Sequence, residues 1–195
     1  VDPRVTWSFR GSTEDQQEDM EFLASAMMMA LAIMAIILVT QFNSFYQSSL
    51  IMLAVVMSTA GVLLGLLILG KPFSAILTGV GVVALAGIAV NSSIVLISAA
   101  NARLQAGMSV MHATLYAARR RVIPILITSL TTVAGLFSLA TGLGGKSLIW
   151  GPVATAIVWG LGFSTVLTLI VIPLLYQFFM KNGKTAGRAT RLANR

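Results

Sequence analysis

From Phe73 to Ala100 the chain carries no charged side chain. Such a run is long enough to cross the hydrocarbon of a bilayer, about 30 Å, as a single helix. Within it lies Gly87-Ile88-Ala89-Val90-Asn91-Ser92-Ser93-Ile94-Val95-Leu96-Ile97, which places a primary amide and two hydroxyls at membrane depth. Each unpaired polar group costs roughly several kcal/mol there, so these groups are expected to face other helices or a wet cavity.

Four further apolar runs surround this one. Spans are expected at about 22–42, 50–69, 73–100, 122–143 and 148–180, an all-α integral membrane protein with a five-helix transmembrane bundle. The composition agrees: 57% hydrophobic and 10% charged, against roughly 45–50% and about 25% in soluble domains. Ahead of the spans, residues 1–20 read as a soluble element with an alternating strand at Val5-Thr6-Trp7-Ser8-Phe9, then a lead-in helix from about Thr13. The segment 107–121 is amphipathic and too polar to cross, so it is expected as a surface helix. The basic tail 181–195 is expected to be disordered.

The net charge of +7 is zoned rather than spread. All six acids, Asp2, Glu14, Asp15, Glu18, Asp19 and Glu21, precede the first span. Arg4, Arg10, Lys71 and Lys146 fall on one side of five crossings, and Arg103, Arg119 to Arg121 and the tail bases fall on the other. The positive-inside rule then puts the C-terminus in the cytoplasm and the N-terminal element outside it. Nothing interleaves bases with aromatics, so nucleic acid is not an expected partner.

Chemistry is constrained by what is missing. After Glu21 there is no Asp or Glu, and no titratable group lies at the centre of a span, where proton and ion paths usually carry one. With no cysteine and a single His112, neither a metal site nor a nucleophilic catalytic set can be assembled, and no enzyme activity or cofactor is expected. What remains is polar and uncharged. Ala84, Asn91 and Ser98 recur at seven-residue spacing with Gly87 one turn before Asn91, and Arg121, Thr128, Thr132 and Gly135 form a second stripe on the fourth span. Either these stripes are helix-helix glue or they line a transport-coupling core. The Gly61-Val62-Leu63-Leu64-Gly65 pattern on the second span has two readings as well, a close helix contact or chance.

Four blocks carry a family resemblance: Gln41-Phe42-Asn43-Ser44-Phe45, the Gly87 to Leu96 stretch, Arg121-Val122-Ile123-Pro124 through Thr132, and Ser164 through Tyr176. In this order and spacing the chain resembles the C-terminal transmembrane half of multidrug/heavy-metal-type efflux permeases of the resistance-nodulation-division (RND) family. The resemblance implies that residues 1–20 end a periplasmic porter subdomain and that the five spans are helices 8–12 of a twelve-helix protein. It further implies an inner-membrane homotrimer, completed by the missing N-terminal half and working with a periplasmic adaptor and an outer-membrane channel to exchange protons for drugs, metals or lipidic compounds. Arg121 and Thr128 match the family's proton-relay positions on the eleventh helix. Asn91 stands where the drug-exporting branch carries a lysine, and Ser98 where many members carry an acid. A non-transporting bundle that packs against another permease as a regulatory subunit is the alternative.

Overall fold

The computed structural model describes residues 12–193, with side chains from 15 to 178. The strand expected at Val5–Phe9 lies outside the described residues. Five α-helices make up the fold: α1 (Ser12–Phe42), α2 (Phe45–Leu69), α3 (Ala75–Gln105), α4 (Val110–Thr141) and α5 (Trp150–Ala193). Each contains a stretch long and apolar enough to cross a membrane.

The turns follow from local chemistry. Ser44, Ser74 and Ser109 cap α2, α3 and α4, each hydroxyl accepting from the backbone N-H three residues on, at 3.3, 3.4 and 3.4 Å. Gly70 and Gly142 end α2 and α4 in the left-handed region, with φ of 60° and 76°, where a Cβ would clash. Only Asn43 and Ser44 separate α1 from α2, so the polar link is shorter than the second span's expected start at residue 50 implied. Capping by Ser44 lets Gln47 and Ser48 enter the helix buried.

Two other expectations are corrected. Segment 107–121 is not a separate surface helix; α4 runs unbroken from Val110 to Thr141 with Pro124 inside it. Ala113, Ala117, Ile125 and Ser129 are buried on one four-residue ridge, interrupted by exposed Arg121, and that shared ridge lines up the packing of the two parts. The basic tail, expected to be disordered, is helical as far as Ala193, as a continuation of α5. Lys, Arg and Ala are good helix formers, and nothing after Pro173 forbids propagation.

Around α5 the bundle closes: α2, α3 and α4 all pack on it, whereas α1 touches only α2 and α3. Leu38 is the one fully buried side chain described on α1, which makes that helix peripheral. Two apolar cores stack along the bundle. One, around Ile51, Leu96, Ile97 and Tyr176, lies toward the α1–α2 and α3–α4 turns; the other, around Val62, Leu85, Ala156 and Leu161, lies toward the α2–α3 and α4–α5 turns.

The Gly61–Gly65 pattern is a close contact. A Cβ on Gly61 would sit 2.6 Å from the Phe163 Cβ, and one on Gly65 would overlap the Trp159 side chain, so α2 and α5 approach through glycine. At the α2–α3 turn, Lys71 Nζ donates to Ala140 O and Thr155 Oγ1, both at 3.2 Å, placing a cation on the negative end of α4. Lys71→Met is expected to lower stability by up to about 1 kcal/mol. Denaturation in detergent at low and high salt checks it: a loss that salt does not diminish would point away from the dipole.

Candidate functional site

The α3 helix divides by face. Leu85, Ala86, Ala89, Val90, Ser93, Leu96, Ile97 and Ala100 are buried, which turns Ala84, Gly87, Asn91 and Ser98 outward, and all four are exposed. A Cβ on Gly87 would meet nothing within 4 Å. On α4, Arg121, Thr128 and Gly135 are exposed and Thr132 is half-buried, with open space at Gly135 as well. The two threonines bond back along their own helix, Thr128 Oγ1 to Pro124 O and Ile125 O at 3.1 and 3.0 Å and Thr132 Oγ1 to Thr128 O at 2.9 Å. Neither stripe glues helices of this bundle together. On α3 the inward-facing contacts use the larger apolar residues, whereas on α4 they use Ala113, Thr114, Ala117, Ile125 and Ser129.

Both stripes start at one junction. Ala102, four residues past Ser98 on the α3 stripe, shares a cleft with Arg121, which begins the α4 stripe. At 1.5 Å per residue, Asn91 lies about 16 Å along α3 from Ala102, and Thr132 about 16 Å along α4 from Arg121. The α3–α4 hairpin thus has a flank with an amide and hydroxyls at roughly half the 30 Å depth of a hydrocarbon layer. Lipid is a poor neighbour for that flank, and a protein surface or a hydrated path is a good one.

Sequence reasoning missed a second polar group, which is internal. Asn101 Nδ2 donates to Gln47 Oε1 at 2.7 Å, Gln47 Nε2 returns a bond to Asn101 Oδ1 at 3.2 Å, and the Tyr176 hydroxyl donates to the same Oδ1 at 2.5 Å. Beside them the Tyr46 hydroxyl donates to Leu175 O at 3.0 Å. These bonds tie α2, α3 and α5 together at one end. The signal was available: Gln47 is near the start of α2, Asn101 nears the end of α3 and Tyr176 lies near the end of the apolar part of α5, so alternating crossings bring all three to the same level. Deeper in, Ser129 Oγ and Thr165 Oγ1 pair at 2.8 Å between α4 and α5. The Thr78 and Ser93 hydroxyls are buried with no hydrogen-bond partner among the described residues.

Fold and flank together define a multi-span helical membrane protein with one polar side prepared for a neighbour. The model of the AcrB/AcrD/AcrF family matches residues 1–180, and the chain belongs to that family. It is 35% identical over 184 residues to the nickel and cobalt resistance protein CnrA of Cupriavidus metallidurans, covering 94% of this chain and 17% of that protein. To the swarming motility protein SwrC of Bacillus subtilis it is 32% identical over 172 residues, covering 88% of this chain and 16% of that protein. The crystal structure of a heavy metal efflux pump superposes with a TM-score of 0.77 at 31% identity, over 92% of this chain and 18% of the pump. The chain therefore spans less than a fifth of the length of these relatives. The resemblance drawn from its four motif blocks is met at the level of the family.

Proposed function

We propose that the chain is the C-terminal transmembrane half of a proton-driven RND efflux permease, with α1 to α5 as helices 8–12. The observation that carries this reading is the α3–α4 flank, which exposes Asn91, Ser98, Arg121 and Thr128 and, among the described residues, is left uncovered. An N-terminal half bearing the intramembrane acids that these spans lack would complete that flank. Arg121 and Thr128 would then act as relay groups, and Asn91 as a neutral hydrogen-bonding group where the drug-exporting branch uses a cation. The zoning of the bases supports a cytoplasmic C-terminus and a periplasmic N-terminal element in the bacterial inner membrane. A homotrimer, a periplasmic adaptor and an outer-membrane channel are the assembly that the family implies.

The cargo would be drugs, metals or lipidic compounds. Relatives named for nickel, cobalt, zinc and cadmium resistance favour divalent metal ions. Among the described residues no group of three or more His, Cys, Asp or Glu could hold a metal ion, which leaves cargo recognition to the rest of the permease.

Asn91→Leu separates coupling from packing. Because Asn91 is exposed in this bundle, the substitution is expected to change folding stability by no more than about 0.5 kcal/mol. It should nevertheless alter the dependence of efflux on the pH gradient when the intact permease is assayed in vesicles. A large loss of stability with unchanged proton dependence would defeat the coupling role, and proton-independent efflux by the unsubstituted permease would defeat the proposed function itself.

A further inference from the structure

At the end of the α3–α4 hairpin, Arg103, Arg120 and Arg121 converge on a cleft of about 450 Å³. Three alanines, Ala99, Ala102 and Ala117, give it depth. Tyr116 organises it. The Arg103 guanidinium lies 4.3 Å from the centre of the Tyr116 ring and its Nη2 donates to the Tyr116 hydroxyl at 3.4 Å, while the Arg120 guanidinium lies 5.4 Å from the same ring. The ring face attracts both cations and so holds like charges at one place.

No carboxylate side chain answers them among the described residues. Asp15, Glu18, Asp19 and Glu21 all lie at the start of α1, and three successive crossings by α1, α2 and α3 put the arginine cleft at the opposite end of the bundle. The depth is that of lipid headgroups. Arg120 and Arg121 immediately precede the apolar part of α4, and Arg103 lies two residues past Asn101, where the uncharged run of α3 closes. Guanidinium forks match phosphate oxygens bidentately, and basic pockets between membrane helices are suited to anionic headgroups.

We infer that this cleft binds a phosphate group, supplied by the headgroup of an anionic phospholipid. The inference rests on the helices crossing a bilayer and is carried by Arg103 and Arg120, which the proposed proton relay does not use. The intact permease in phosphatidylcholine nanodiscs, with or without phosphatidylglycerol, provides the test. Arg103 and Arg120 are expected to resist modification by phenylglyoxal when phosphatidylglycerol is present and to react when it is absent. Inorganic phosphate added to the phosphatidylcholine discs distinguishes the source: protection there shows that the site takes free phosphate too, and no protection shows that the lipid is required. Equal reactivity in both lipids, with no effect of phosphate, overturns the site, including the case in which a protein segment covers it. By native mass spectrometry, R103Q/R120Q should retain phosphatidylglycerol more weakly, by roughly fivefold per arginine removed, while R119Q, outside the cleft, should retain it as before. An equal loss in R119Q would reduce the effect to general surface charge and overturn the site as well.

Discussion

Gly160→Leu is expected to prevent the bundle from assembling, whereas Gly162→Leu, two residues further along α5, is expected to be tolerated. A Cβ at Gly160 would overlap the Leu85 side chain, sit 2.7 Å from Val62 Cγ2 and lie 3.1 Å from the Ser58 carbonyl oxygen. Leu85 and Val62 are themselves buried in the core shared by α2, α3 and α5, and the Ser58 carbonyl belongs to the α2 backbone. The Leu85 and Val62 methyl groups are hemmed in by that core, and the Ser58 carbonyl moves only with the α2 backbone. Overpacking by a methylene or two costs on the order of 1–3 kcal/mol, and leucine adds more than that at the point where three helices meet. Gly162 is exposed with nothing within 4 Å, and there leucine removes the roughly 1 kcal/mol penalty of glycine in a helix. The comparison is made by folded yield and thermal midpoint in detergent. Similar behaviour of the two variants would mean that α5 does not pack through Gly160.

What made the five helices legible was their hydropathy. A run without charge has few ways to fold in lipid, so the number and order of spans follow from Phe73–Ala100 and its neighbours. The ends were less legible, because they depend on single capping contacts and on tertiary burial. Residues 107–121 look like a surface helix by charge, yet Ala113 and Ala117 are small enough to bury and carry the helix through Pro124. The side of a helix that a small residue faces was also hidden. Glycines at 61, 65 and 160 are contact points while those at 87, 135 and 162 are open, and composition is the same in both sets.

For the candidate site, the sequence located Asn91, Ser98, Arg121 and Thr128 on stripes but could not tell whether the stripes face inward. Seven-residue spacing defines a line along a helix and says nothing about its rotation. Rotation is decided by the competing face, and on α3 the larger apolar set of Leu85, Leu96 and Ile97 takes the interior. The polar stripe is left outside, at a depth where only another protein surface or water satisfies it.

Asn101→Ala is expected to destabilise the chain by about 2 kcal/mol, because one amide serves three helices. Its loss strands Gln47, 8% exposed, and the hydroxyl of Tyr176, 1% exposed. Removing one member of a buried pair exacts the desolvation cost of whatever remains, whereas removing both members does not. Gln47→Leu combined with Asn101→Leu should therefore recover only the part due to Gln47, adding Tyr176→Phe should recover most of the rest, and Tyr176→Phe alone should cost less than Asn101→Ala, since it leaves the Gln47–Asn101 pair intact. Denaturant titration in mixed micelles of the single and double variants measures the coupling. Additive losses would show that the three side chains do not act as one network. A non-additive rescue would identify the Gln47–Asn101–Tyr176 group as the polar clasp that fixes the rotation of α3 against α2 and α5, and with it the outward direction of Asn91.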